Sequence, residues 1–276
     1  MLGLLLAVTA SLMWGGASVF GGLAARSASP VSVAWWFSFM ALPGMIVLAF
    51  TATGTGDFTP EALLVGSVAG SGAVLGGTLL FLGFTKAAAA SVVPTSGFIS
   101  ALLPVGVAAT IGGEDLSPLA WIGVVLALGA IWLVASDGER FDARGVWYGL
   151  ASGAAFGIQF AVLGLARDGT GLWPVVGVFI GATVVGSLAV LVTRSPVRLR
   201  GGALKLTAGG SACSIVANTS YLYATRLGPL SVAAILGALY AIPTVVLAAI
   251  FLRERMLPRH WAGLALAGLA TALVAI

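Results

Sequence analysis

The sequence predicts an all-α integral membrane protein of ten transmembrane helices, arranged as two inverted five-helix repeats, and three observations carry that prediction. The 276 residues are 59% hydrophobic and 8% charged, with a mean hydropathy of +1.10, whereas roughly a quarter of residues carry charge in a soluble domain. All nine acidic residues, Asp57, Glu61, Glu114, Asp115, Asp137, Glu139, Asp142, Asp168 and Glu254, fall between or at the edges of apolar stretches. The charges therefore punctuate segments near the roughly 20 residues a helix needs to cross the hydrocarbon. Finally, the stretch from Phe81 to Ala135 is restated from Tyr221 to Ala275, with Thr85 on Thr225, Lys86 on Arg226, Gly97 on Gly237, Trp121 on Trp261 and Gly123 on Gly263.

Taken in order, span 1 (2–23) is an apolar run that continues past Phe20 with no basic residue ahead of it, so a cleaved leader is not expected. Span 2 (30–52) carries Trp35 and Trp36 near its end, as interfacial anchors do. Span 3 (62–84) has Gly66 and Gly70, then Gly72 and Gly76, at the four-residue spacing that lets helices approach closely. Span 4 (87–110) contains Pro94 and Pro104, and span 5 (118–136) opens on Pro118 and Trp121. Span 6 (145–166) places Gly145, Gly149, Gly153 and Gly157 in one register, a ridge without side chains, with Trp147 and Tyr148 as anchors. Span 7 (173–193) is apolar throughout; span 8 (204–224) is polar along one face and holds the single Cys213, read as packing. Span 9 (229–251) contains Pro243, and span 10 (258–276) repeats the opening of span 5. Pro94, Pro104 and Pro243 each remove a backbone donor inside a span and are the candidate hinges.

Trp14-Gly15 falls on Phe156-Gly157 and Leu23-Ala24 on Leu165-Ala166, so span 6 restates span 1 and the duplication covers the chain, 1–138 and 139–276. Five crossings is an odd number, so the second copy starts from the other side of the membrane and the halves are inverted. Each half ends with a proline-containing helix, a glutamate loop (Gly113-Glu114-Asp115; Arg253-Glu254-Arg255) and a Trp-x-Gly closing helix. In these features the chain resembles the drug/metabolite transporter superfamily, EamA type. The resemblance implies a transporter whose central cavity is lined mainly by spans 1, 3, 4, 6, 8 and 9, with spans 5 and 10 peripheral, and it does not choose a substrate.

A polar side chain in lipid is expensive unless it faces protein or water, so helical spacing locates the interior. Span 8 carries Ser211, Ser214, Asn218, Tyr221 and Thr225 on one stripe, and span 3 has the weaker counterpart Ser71, Val74, Thr78, Phe81 and Thr85. Span 6 adds Ser152, Phe156 and Gln159; span 1 adds Ser11, Trp14 and Ser18; span 4 adds Ser91, Thr95 and Ser96; span 9 adds Ser231 and Tyr240. Gln159 and Asn218 are the only amides and lie mid-helix, where each offers donors and an acceptor to a substrate or to a neighbouring helix. The candidate binding set is Trp14, Thr78, Phe81, Thr95, Phe156, Gln159, Ser214, Asn218, Tyr221 and Tyr240. Among these, mid-span aromatics such as Trp14, Phe156, Tyr221 and Tyr240 suit stacking or a cation.

No span has a carboxylate, a histidine or a basic residue near its centre, and the one histidine, His260, stands between spans 9 and 10. Carboxylate-centred proton antiport is thereby disfavoured. The expected cargo is a small neutral or zwitterionic organic metabolite, amino-acid-like or drug-like, moved by export, facilitated diffusion or exchange, with a choline-like quaternary amine or a lipid-linked substrate as alternatives. No nucleophile-base pair, metal-ligand cluster or phosphate loop is present, so neither catalysis, a metal nor a cofactor is expected. The +4 net charge is spread over short connections rather than gathered as a nucleic-acid footprint. The expected partners are the substrate and the bilayer of the cell membrane, with the chain as monomer or homodimer. The connections after spans 1, 3, 5, 7 and 9 carry eleven of the thirteen basic residues, leaving only Arg167 and Arg226 on the amino-terminal side. Under the positive-inside rule that count places both termini outside, whereas the resemblance implies termini in the cytoplasm.

Overall fold

The computed structural model describes residues 1–52, 57–111, 142–251 and 258–274, with 118–119, 122–123, 125–126, 129 and 133 between them. Every regular element among them is a helix, as is required where lipid offers the backbone no hydrogen-bond partner. Spans 1 to 4 are Leu2–Ala25, Pro30–Thr51, Pro60–Lys86 and Ala89–Thr110; spans 6 to 8 are Ala143–Gly164, Trp173–Thr193 and Gly201–Leu227. Span 9 is two helices, Leu230–Ala238 and Ala241–Phe251, and span 10 is Pro258–Val274. Most of span 5, Trp121, both glutamate loops and the boundary at 138 lie outside the described residues. Among the described residues, seven helices, counting span 9 as one, are long and apolar enough to cross a membrane. Span 8, at 27 residues, is long enough but is left out of that set by its polar face.

Local chemistry sets several helix starts. Thr59 caps span 3 by accepting the Ala62 N–H at 3.1 Å, with Pro60 following it at the first helical position. Asp142 does the same for span 6, accepting the Gly145 N–H at 3.1 Å. Span 7 closes on Arg194 in the left-handed region, with φ of 51°.

The prolines behave differently from one another. Pro94 and Pro104 sit inside one unbroken helix, whereas in span 9 the helix stops at Ala238 and resumes at Ala241, with Pro243 in the first turn of the second piece. There the lost donor leaves the Leu239 carbonyl free for the Ile242 N–H at 2.9 Å, and Tyr240 N–H turns to Gly237 O at 3.1 Å. With Leu239 N–H on Leu236 O at 3.2 Å, three tight i−3 bonds thus replace the ladder. The Pro243 ring lies on Gly15 of span 1, where a Cβ would come within 2.7 Å of Pro243 Cγ.

Glycine decides which helices touch. The four-glycine ridge of span 6 lies entirely on span 4: Gly145 meets Ser91, Gly149 meets Thr95, Gly153 meets Ser96 and Ile99, and Gly157 meets Leu103. Gly72 and Gly76 of span 3 sit against Ala155 and Phe156 of span 6. At Gly66, Gly70, Gly177 and Gly181 the backbones of spans 3 and 7 are in direct contact, so that an added Cβ would run into a main-chain carbonyl. The other extensive contact is between spans 1 and 8.

Two ends of the bundle can be followed from their contacts. Near Met1, the connection after span 2 meets the connection after span 6, through Asp57 N–H to Gly169 O at 2.9 Å and the exposed Arg167–Glu61 pair at 3.2 Å. At the opposite end, Ser32 Oγ donates to Pro196 O at 2.8 Å and Trp36 Nε1 to Val197 O at 2.6 Å, joining the start of span 2 to the connection after span 7. Trp36, expected from the sequence as an interfacial anchor, thus ties span 2 to protein.

Candidate functional site

A cavity of about 80 Å³ lies among spans 1, 2, 3, 6, 7 and 8. Trp14, Ala17 and Ser18 enter it from span 1, Phe37 and Ser38 from span 2, Val74, Gly77 and Phe81 from span 3. Phe156 and Gln159 come from span 6, Phe179 and Ala182 from span 7, Ser214 and Asn218 from span 8. Among the lining residues no side chain is ionisable, while five, Trp14, Phe37, Phe81, Phe156 and Phe179, are aromatic. A smaller cavity of about 30 Å³ adjoins it, sharing Trp14, Ser18 and Phe156 and adding Phe160 and Tyr240.

The two amides meet here. Gln159 Nε2 donates to Asn218 Oδ1 at 2.8 Å, and Asn218 Nδ2 donates to the Ser214 carbonyl at 2.8 Å. Both residues are buried, at 2% and 3% exposure, and both line the cavity. The pair fixes its own orientation and leaves the Gln159 oxygen and the second hydrogen of each amide nitrogen without a described partner. An acceptor and two donors at one wall can hold the polar end of an uncharged or zwitterionic molecule.

Aromatic layers bound the cavity along the bundle axis. Towards the amino-terminal end Trp14 stacks on Phe160 at 4.6 Å, and Tyr221 lies 5.1 Å from Phe160 with its hydroxyl donated to the Phe160 carbonyl at 3.0 Å. Towards the opposite end the Phe37 and Phe81 rings lie tilted to one another with centroids 5.5 Å apart, each pressed against a glycine of a neighbouring helix, Gly210 and Gly21 respectively.

Beside the smaller cavity runs a buried hydroxyl chain. Ser152 Oγ donates to Ser96 Oγ at 2.8 Å, and Ser96 Oγ is 2.8 Å from Tyr240 Oη, linking spans 6, 4 and 9 at the break in span 9. Tyr240 also stands edge-on to Phe156, with ring centroids 6.0 Å apart.

Of the ten candidate residues, the structure places Trp14, Phe81, Phe156, Gln159, Ser214 and Asn218 on the main cavity and Tyr240 on the smaller one. Tyr221 lines neither, being fully buried in the aromatic layer beneath. Thr95 is likewise turned away, its hydroxyl on the Ser91 carbonyl at 3.0 Å and its methyl against Gly149. Thr78 is half-buried and lines neither cavity. The stripe on span 3 does not hold as a polar face: Ser71 and Thr85 turn back on Val68 O and Leu82 O, as helical hydroxyls can. Spans 2 and 7 take the places on the main cavity that the resemblance gives to spans 4 and 9, and span 9 reaches only the smaller one. Phe37, Ser38, Phe160 and Phe179 are the contributors the sequence reading missed. Among the described residues no cluster of metal-ligating side chains occurs.

Comparison with known proteins agrees with this architecture. The model of the EamA-like transporter family matches the chain twice, over residues 1–136 and 143–276. A solved structure described only as a protein crystal structure superposes with a TM-score of 0.72 at 16% identity, over 98% of this chain and 95% of that one. At that identity the likeness speaks for the fold alone. A comparison with curated proteins gives no match.

Proposed function

The chain belongs to the EamA-like transporter family, which makes it a membrane transporter of the drug/metabolite type, and from that premise we propose that it carries a small neutral or zwitterionic organic metabolite. The single observation behind this reading is the Gln159–Asn218 pair set into a cavity wall that bears no charge. In such a site the amides take the polar group of the cargo and the aromatic rings take its apolar body. A pathway without an ionisable lining side chain suits facilitated diffusion or exchange, since it offers no proton relay.

The two halves are read as inverted copies in the cell membrane. The meeting of the connections after spans 2 and 6 at one end, and after spans 1 and 7 at the other through Ser29 Oγ to Ser195 Oγ at 3.1 Å, supports that reading, because an odd number of crossings per half brings those loops to the same sides. At about 80 Å³ the cavity is well below the roughly 300–1,000 Å³ usual for ligand sites. Loading therefore requires the bundle to open, and the break at Leu239–Tyr240 is where span 9 yields; Pro94 and Pro104 stand in a continuous helix and are the weaker hinge candidates.

A second reading, a quaternary amine, is favoured by the five aromatic side chains around the cavity, whose faces attract a cation by about 0.5–2 kcal/mol each. A lipid-linked substrate is less favoured, because six spans ring the cavity. Uptake by proteoliposomes of a panel of amino acids, nucleosides, sugars and choline separates these readings. Saturable transport of an uncharged or zwitterionic compound, reduced at least tenfold in Gln159→Ala and Asn218→Ala, supports the proposal. Transport of choline alone would favour the second reading, and transport undiminished in both variants would place the site elsewhere.

A further inference from the structure

Away from the transport cavity, a crevice of about 400 Å³ opens between the end of span 3 and the start of span 6, lined by Lys86, Ala143, Arg144, Trp147 and Tyr148. Two cations and two amphipathic rings share this wall. Lys86 and Arg144 are exposed, and among the described residues neither side chain enters a hydrogen bond or ion pair. Arg144, Trp147 and Tyr148 are spaced i, i+3 and i+4, so they stand on one helix face at successive depths. Tyr148 is held from behind, its Cβ lying 3.1 Å from where a Cβ at Gly83 would be. Below the cations the lipid-facing side of span 6 is apolar, with Trp147 67%, Leu150 37% and Ile158 43% exposed.

The repeat supplies a built-in comparison. Lys86 corresponds to Arg226, and Gly145 to Gly3 at the offset that pairs Trp14 with Phe156. The corresponding crevice at the other end, about 340 Å³, is lined by Met1, Gly3, Leu4, Leu227 and Val232 among others, and none of its lining side chains is charged. Arg226 points elsewhere: it donates to Gly171 O at 2.8 Å, Arg167 O at 3.2 Å and Thr170 Oγ1 at 2.9 Å, closing the connection after span 6. One copy has thus turned its cation into a structural tie. The other keeps two cations facing outward, on the side of the membrane that carries eleven of the thirteen basic residues.

We propose that the Lys86–Arg144 crevice binds the phosphate of an anionic phospholipid from the leaflet on the cation-rich side, with Trp147 and Tyr148 at headgroup level and the acyl chains along span 6. Basic pockets between membrane helices recognise such headgroups by charge, and interfacial Trp and Tyr fix the depth. This site is separate from the cargo cavity and does not depend on which metabolite is carried.

Native mass spectrometry of the purified transporter, offered phosphatidylglycerol and phosphatidylcholine with matched chains, tests the assignment. Wild type should retain one phosphatidylglycerol in preference to phosphatidylcholine, and Lys86→Ala with Arg144→Ala together should weaken that retention about thirtyfold. Lys86→Arg with Arg144→Lys should restore it, and Arg194→Ala with Arg198→Ala, on the same side of the membrane, should leave it unchanged. Since both replaced side chains are exposed, folding is not at stake. Equal retention by the double alanine variant would overturn the proposal, as would an equal loss in the Arg194/Arg198 control. Displacement of the lipid by millimolar inorganic phosphate would also overturn it, by making the site one for a free anion.

Discussion

Spans 3 and 7 pack backbone to backbone, while the pair that the duplication sets against them, spans 8 and 2, stands apart. The difference is written in a few residues. Aligning Pro30-Val31 with Pro174-Val175 puts Val33 opposite Gly177, Phe37 opposite Gly181, and Ser38 opposite Ala182, while Gly66 falls opposite Leu206. Gly70 and Gly210 are the same residue in both copies, yet Gly70 rests on the Val178 carbonyl and Gly210 on the Phe37 ring. One pair is therefore a close seam that shuts the bundle towards Met1. The other is held open by aromatic spacers, and the cavity lies on that side of the Trp14–Phe160 layer. A repeated scaffold acquires a direction because glycine stands in one pair where Val, Phe and Leu stand in the other.

The strongest way to break this comparison is to make the seam resemble its counterpart. Gly181→Phe, copying Phe37, drives a ring into the Ser67 backbone; the expected outcome is loss of folded protein on size-exclusion chromatography in detergent. If the variant elutes and transports normally, the seam is not what closes that end. A gentler comparison uses the shared position. Gly70→Ala meets a main-chain carbonyl and should destabilise by about 3 kcal/mol, whereas Gly210→Ala meets a ring that can turn and should cost about 1 kcal/mol or less. Thermal unfolding of the two variants side by side checks the ranking.

Tyr240→Phe removes the end of the Ser152–Ser96–Tyr240 chain while keeping the ring against Phe156. Its expected effect on stability is about 1 kcal/mol, read from the same unfolding curves, together with a changed transport rate if the span 9 break moves during the cycle. Smallest of all, Thr95→Val keeps the methyl against Gly149 and removes only a hydroxyl bonded to its own helix. It should leave transport unchanged and stability within about 0.5 kcal/mol; a loss of transport would bring Thr95 back to the site.

The spans, the glycine ridge of span 6 and the two amides were legible in the sequence, because each rests on spacing along one helix. The amides in particular stand out as the only ones in an apolar chain. The share of spans 2 and 7 in the cavity was not legible, because Ala34, Phe37, Val178, Phe179 and Ala182 give no polar periodicity to follow. The span 3 stripe misled for the opposite reason: Ser71 and Thr85 have the right spacing, but a helical hydroxyl can satisfy itself on its own backbone. Nor could the sequence tell that Pro243 interrupts its helix while Pro94 and Pro104 do not. That depends on neighbours such as Gly15, which seats the Pro243 ring.

The central claim is that Gln159 and Asn218 act together as the recognition element of the cavity. Initial transport rates in proteoliposomes for wild type, Gln159→Ala, Asn218→Ala and the double variant test it most directly. If the amides are one unit, each single change lowers the rate at low substrate at least tenfold and the double variant is little worse than either. Independent losses that multiply, or rates equal to wild type, would contradict the claim.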